Sequence, residues 1–176
     1  MGEAIKQKPV KLIVSVIFRD RPRLDMARKL LVKTYGPLET LEMDAPFDYT
    51  DYYSAEFGDP LFRKVFCFRK LIGPESLAYV KLATNKLEVK LSSGGKRTVN
   101  IDPGYVTDAK LVLLTTKDYT HRVYIGRSIF AESTLHYRDG SFRAWPWTYP
   151  DYASAGMVAY FNKVRELYSL ESRGRK

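Results

Sequence analysis

At 176 residues, with 45% apolar and 28% charged side chains, the chain has the bulk for one domain with its own core, and it needs neither disulfides nor structural zinc to hold it. Its single cysteine, Cys67, excludes an internal disulfide and a thiolate zinc cluster, a usage that fits a reducing cytoplasm. The net charge of +9 is unevenly spread, with +6 on residues 1–36, −7 on 37–60 and +7 on 61–100; such blocks draw phosphates and anionic partners or simply solvate helix faces.

No apolar h-region precedes the first charges, and the run from Leu12 to Phe18 is too short to span a bilayer, so a cytoplasmic protein without a membrane segment is expected. Lys11 to Arg19 (KLIVSVIFR) is β-branched and apolar on both faces, which predicts a central strand covered on both sides. Pro22 suits the first turn of a helix. Leu24, Ala27, Leu30 and Leu31 then recur at helical spacing, and Gly36-Pro37 stops the helix. Leu38 to Met43 is expected as a second strand and Leu61 to Ile72 as a third. On the third, Val65, Cys67 and Arg69 share one face and Phe66, Phe68 and Lys70 the other, with Cys67 a small core residue. Gly73-Pro74 opens a second helix with the stripe Leu77, Val80, Leu87 and Leu91, and Thr98 to Asp102 follows as a short fourth strand. This β-α-β-β-α-β order is the split ferredoxin-like pattern.

Lys110 to Thr116 reads equally as a strand or the end of a short helix. His121–Ile125 and Ile129–Arg138 form a predicted hairpin about Gly126, and Asp139-Gly140 marks a second hairpin turn. The last helix is placed from Asp151 or Ser154 to Leu170, with Met157, Tyr160, Phe161, Val164, Leu167 and Tyr168 inward, and the basic tail from Ser172 is expected to fray. The expected whole is one α+β domain over residues 1–176. Its first half is ferredoxin-like, extended by an antiparallel hairpin and a C-terminal helix.

Familiar chemistries are missing. Gly94-Gly95-Lys96-Arg97 follows a helix and lacks the hydroxyl that a phosphate-binding P-loop supplies. No guanine-reading N-K-x-D, no G-x-G-x-x-G after the first strand and no G-x-S-x-G elbow occur. With one cysteine and two histidines a tetrahedral zinc site is not expected, while a hard cation would draw on Asp102, Asp118, Glu132 and Asp151. No cofactor is indicated.

What remains is a vocabulary of aromatic–polar turns. They are Asp48-Tyr49-Thr50-Asp51-Tyr52-Tyr53, Asn100-Ile101-Asp102-Pro103-Gly104-Tyr105, Asp118-Tyr119-Thr120 and Thr148-Tyr149-Pro150-Asp151-Tyr152. None has the periodicity of an element built only to bury one face, and loops of this kind are where sites are built. His121, framed by Lys117, Asp118 and Arg122, is the acid–base candidate; a histidine bonded to a backbone carbonyl is the plainer reading. On a strand His121 would alternate away from Arg122. Lys117 and Arg122 are the candidate anion ligands, joined by Asp102, Tyr105, Asp118, Tyr49, Tyr52, Tyr149, Asp151 and Glu132. Glu132, Thr134 and His136 are expected to share one strand face, either lining a cleft or lying on the wet side of the sheet. Two functions follow. One is a binder or enzyme for a phosphorylated small molecule, nucleotides included. The other is a non-enzymatic basic module for nucleic acid or an acidic protein partner.

The same turns, together with Pro9-Val10-Lys11-Leu12, Lys110-Leu111-Val112-Leu113, Thr115-Thr116-Lys117-Asp118 and His121-Arg122-Val123-Tyr124, resemble an uncharacterised prokaryotic family catalogued as domain of unknown function 4416. The resemblance covers nearly the whole chain and implies a single-domain cytoplasmic protein. Some relatives carry a GTP-binding label, for which the motifs above offer no physical support. The resemblance assigns no site residues.

Overall fold

The computed structural model describes residues 2–50 and 53–174. Among them, eight strands form one antiparallel sheet: β1 (Val10–Phe18), β2 (Met43–Pro46), β3 (Phe62–Ile72), β4 (Val99–Val106), β5 (Lys110–Thr115), β6 (Arg122–Gly126), β7 (Ile129–Arg138) and β8 (Ser141–Ala144). The order is β2-β3-β1-β4-β5-β7-β6, with β8 also paired to β7. The helices are α1 (Arg21–Tyr35), the single turn α2 (Ser54–Phe57), α3 (Leu77–Leu91) and α4 (Ala155–Arg173). The fold is therefore a mixed α+β domain. Its eight-stranded order is not that of a four-stranded ferredoxin-like sheet, because β5, β7 and β6 continue beyond β4.

β1 is buried along its whole length. Leu12, Val14, Val16 and Phe18 face α1 and α3, where Leu24, Ala27, Leu31, Val80 and Leu91 complete one core. Ile13 faces the other way, into a second core with Val65, Cys67, Leu111, Leu135 and the α4 residues Met157, Tyr160, Phe161 and Val164. Each such fully buried apolar side chain stabilises the fold by about 1.5–3 kcal/mol. Local signals agree with the elements. Asp20 caps α1 by accepting from Arg23 N at 3.0 Å, and Ser154 caps α4 by accepting from Met157 N at 3.3 Å. Asp139 and Gly140, at φ 50 and 80, turn the β7–β8 hairpin. Cys67 is buried and its thiol is pushed up to about 12 by that burial.

Several expectations change. Leu38 makes only an isolated bridge to Phe68, and the second strand lies further on, at Met43–Pro46. Lys110–Thr115 is a strand. At the C-terminus α4 runs to Arg173, and its Glu171 meets Lys11 Nζ at 2.6 Å; the last two residues of the tail expected to fray lie outside the described residues. Lys11 is fully buried and also meets Glu39 at 2.6 Å, so a cation at the start of the most apolar strand ties β1 to the far end of α4. Among the described residues no helix is long and apolar enough to cross a membrane.

The fourth strand matters most. Asn100–Tyr105 is not a turn: β4 runs through Asp102-Pro103-Gly104 and pairs with β1 along its whole length, from Val99↔Phe18 to Val106↔Lys11. Its other edge pairs with β5 only from Gly104↔Leu113 to Val106↔Leu111. Below Gly104 the sheet splits. Ile101 turns its backbone polar groups into the split, where Glu88 Oε1 accepts from its N–H at 2.5 Å and Lys81 Nζ donates to its C=O at 3.3 Å. Two α3 side chains thus stand in for the strand that is missing. Pro103 has the same strand parity as Ile101, so its absent N–H falls on the split side and costs no bond to β1. Gly104 is where the two sheet halves still touch. A Cβ there would drive into the Val112 carbonyl oxygen and come within 2.9 Å of Leu113 Cδ2.

Candidate functional site

Two adjoining concavities of about 440 and 430 Å³ open at this split. They share Tyr53, Asp102, Leu113, Lys117 and Tyr149 and form one cleft. Three of the four turns singled out in the sequence reach it, and the fourth, Asp118-Tyr119-Thr120, stays outside while its neighbours Lys117 and Arg122 line it. Tyr49 and Tyr53 come from the loop before and into α2, Asp102 from β4, Lys117 from the β5 exit, and Tyr149, Asp151 and Tyr152 from the turn before α4. Tyr52 lies outside the described residues. A wider groove of about 1000 Å³ runs beside α1, but its rim mixes Arg21, Arg28 and Lys29 with Asp25, Glu42 and Asp44, and none of the four segments enters it.

The floor is a network of ion pairs, buried at Lys81 and Glu88 and partly exposed at Asp102, Arg97 and Glu56. Lys81 Nζ meets Asp102 Oδ1 at 2.9 Å, and Asn100 Nδ2 donates to Asp102 Oδ2 at 2.6 Å. Burial works to push the Asp102 carboxyl up, but the Lys81 ammonium, with help from Arg63 and Asn100, holds it below the usual carboxylate range. Glu88 goes the other way: burial outweighs its bond to Ile101 N and its cationic neighbours, and its carboxyl is raised. Arg97 binds Glu56 through Nη2 at 2.6 Å and Nε at 2.9 Å, and reaches Asn100 Oδ1 at 3.0 Å. That fork ties α2, and Tyr53 just before it, to the floor. Its hydrogen bonds hold the Glu56 carboxyl low.

Arg63, on β3, forms the inner wall. Its guanidinium lies between the rings of Phe47 and Tyr152, at 4.7 and 5.0 Å from their centroids. Nη1 donates to Ser15 Oγ at 2.5 Å, and Nε faces Asp151 Oδ2 at 2.8 Å as an ion pair rather than an aligned hydrogen bond. Ser15, the polar residue inside the apolar run of β1, is thus explained by what it accepts. Burial raises the Tyr152 hydroxyl to about 12, so it remains a neutral donor.

The outer wall depends on a bulge. Val112 pairs with Ser133 but Leu111 pairs with Leu135, so Thr134 is the extra residue on β7. This overturns the expected alternation. Glu132 pairs with Leu113, on the face that Leu135 shares, instead of lying in one row with Thr134 and His136. The bulge also frees carbonyls: Ser133 O accepts from Trp147 Nε1 at 3.0 Å and Thr134 O from Thr148 Oγ1 at 2.5 Å. Those two bonds pin the turn that carries Tyr149 to Tyr152.

Glu132 is the meeting point of the histidine segment. Its Oε2 accepts from Arg122 Nε at 2.9 Å and lies 3.0 Å from His121 Nε2. His121 sits before β6, where the chain is still turning, so it and Arg122 reach the same carboxylate instead of alternating apart. His121 lines neither concavity and stacks on Trp147 at 5.3 Å. Arg122 does line the cleft, held by Glu132, the Lys117 carbonyl and the Tyr149 hydroxyl. Asp118 is exposed and outside the cleft. Tyr105 faces away from Asp102, packing with Val10, Leu77 and Ile129, because it sits an odd number of residues along a continuous strand. Among the described residues no three His, Cys, Asp or Glu side chains gather as a metal requires.

Arg63, Lys81, Glu88, Arg97 and Asn100 were not anticipated. In the structure Lys81, Thr84 and Glu88 are all buried at helical spacing, a polar stripe next to the apolar one that in the sequence reads as a solvated helix face.

These features define a class, an α+β domain whose antiparallel sheet splits at one strand and holds a polar, tyrosine-walled cleft in the gap. The profile of the family described as Domain of unknown function (DUF4416) matches residues 8–168, and the chain belongs to that family. No curated protein and no solved structure matches it.

Proposed function

We propose that the protein is a cytoplasmic binder or enzyme for a phosphorylated small molecule, with nucleotides the class that its cleft fits best. The observation that carries this reading is the convergence of three sequence-distant aromatic–polar turns, with Lys117 and Arg122 from either side of the fourth, on one cleft with a polar floor. Tyrosine walls suit a planar ring, and lysine and arginine side chains suit an anion. We also read β2-β3-β1-β4 with α1 and α3 as a split ferredoxin-like unit to which the later strands are added; the support is the shared face of the two helices and the β2–β3 connection.

Thermal denaturation in the presence of nucleotides and sugar phosphates tests the main reading. A ligand at 100 times its dissociation constant adds roughly 2.7 kcal/mol. The expected result is a shift with at least one compound that Tyr149→Ala abolishes, and the absence of any shift overturns it. The basic-module alternative has less support, because Lys11, Arg63, Lys81 and Arg97 from the basic blocks turn inward onto carboxylates.

A further inference from the structure

We infer that the cleft takes one planar ring and a single phosphate monoester, a nucleoside monophosphate by class, and discriminates against di- and triphosphates. This rests on the reading of the cleft as a site for a phosphorylated ligand. The first argument is charge. Five cationic side chains line the two concavities: Arg63, Lys81, Arg97, Lys117 and Arg122. Four carboxylates line them as well: Asp102, Asp151, Glu88 and Glu132. Glu56 stands just outside and takes two hydrogen bonds from Arg97. The fixed charge is thus close to balanced, with a surplus of one positive charge on the lining residues themselves. A phosphate monoester brings about −1.5 to −2, near what such a surface accommodates. A triphosphate brings roughly twice as much, and its sites add a bridging magnesium held by carboxylate or hydroxyl ligands. No P-loop occurs in the sequence, and the carboxylates of the cleft are spread over separate ion pairs.

The second argument is the division of labour between the concavities. The first is walled by rings. Phe47 and Tyr152 already clasp Arg63, while Tyr49 and Tyr149 remain half exposed. Those two tyrosines, from separate segments, offer faces for a base to stack on. The second adds uncharged polar groups to its ion pairs: Asn85, Thr115 and Thr116, with Lys117 on the boundary it shares with the first. The Asn85 amide on α3 and the hydroxyl and ammonium groups at the exit of β5 are the donors a phosphate oxygen needs. Ring and phosphate are therefore placed in adjoining concavities that share Tyr149 and Lys117, so that one small molecule carrying both can occupy the two together.

Titration calorimetry on the full chain tests this with adenosine and guanosine, their mono-, di- and triphosphates with and without magnesium, and ribose 5-phosphate. A monophosphate is expected to bind tightest, with the matching nucleoside and triphosphate each weaker by about tenfold or more. Lys117→Met, at an exposed position, is expected to bring the monophosphate down to the level of the nucleoside measured on the same variant. A triphosphate that binds as tightly as the monophosphate overturns this inference and leaves the cleft reading standing. So does a nucleoside that matches its monophosphate in the unsubstituted protein. If no compound binds, both fall.

Discussion

The two edges of β4 are a natural experiment on what a strand needs. Toward β1 it forms an unbroken ladder, from Val99 to Val106. Toward β5 it makes three pairings and then hands its backbone to Lys81 and Glu88 of α3. The first edge is backbone against backbone, sealed by Ile13, Val16 and Ile101 in dry cores. The second satisfies the same groups with charged side chains, and the space left by the absent strand becomes the cleft. Saturating a backbone does not require a neighbouring strand, and where side chains do it a concavity lined with fixed charge results.

Four measurements break or sharpen this contrast. The largest effect is expected at the junction of the two edges. Gly104→Ala forces Cβ against the Val112 carbonyl and is expected to cost about 3 kcal/mol in chemical denaturation, since backbone has little room to yield. A loss under about 0.5 kcal/mol would mean that the halves are not locked there. Next comes the substitute for the ladder. Glu88→Ala strands the Ile101 N–H and should cost about 2 kcal/mol, whereas Glu88→Gln, which keeps an acceptor, should cost less than about 1 kcal/mol. If both lose the same, the carboxylate is not serving as a stand-in backbone.

Tyr149→Ala is expected to change stability by no more than about 0.5 kcal/mol, because the ring is half exposed. It should nevertheless alter intrinsic fluorescence. The protein's two tryptophans, Trp145 and Trp147, stack on each other at 5.2 Å in the turn that carries Tyr149. An unchanged spectrum would show that the turn is held without it. The last measurement is pH dependence. The carboxyl of Glu56 is lowered from 4.5 in the folded state, so its contribution is present above about pH 4.5 and is lost as pH falls through the lowered value. Glu88 is raised from 4.5, so its contribution is lost as pH rises above that value. Glu56→Gln should flatten the acid limb by less than about 1 kcal/mol, given how exposed the pair is. A steeper acid limb in that variant would reverse the assignment.

Much of the closed edge is legible in the residues themselves. KLIVSVIFR announces a doubly covered strand, Pro22 and Gly36 bracket α1, and Asp139-Gly140 marks its hairpin. The open edge is far less so, for physical reasons. Asp-Pro-Gly is turn vocabulary, and only the pairing with β1 and the empty side of β4 make a proline harmless there. Lys81 and Glu88 read as solvated helix positions until a split sheet needs them. Arg63 sits in the alternation of a strand whose far face happens to hold Ser15, Asp151 and Tyr152. The turns themselves did point to the cleft, except Tyr105, which a turn would have presented and a strand turns away, and Asp118, which the chain leaves in solvent.

One consequence follows from the way Ile101 is held. An exposed strand edge ordinarily invites an extended peptide to add itself as the next strand, by offering alternating donors and acceptors. Here the donor and acceptor of Ile101 are engaged by Glu88 and Lys81, and the position beyond it is a proline with no donor to offer. A polypeptide entering the gap at Ile101 finds its donor and acceptor already taken. On the proposed reading of the cleft this favours a compact guest that side chains can grip over an added strand, and at Ile101 the open seam lacks the adhesiveness that such seams usually bring.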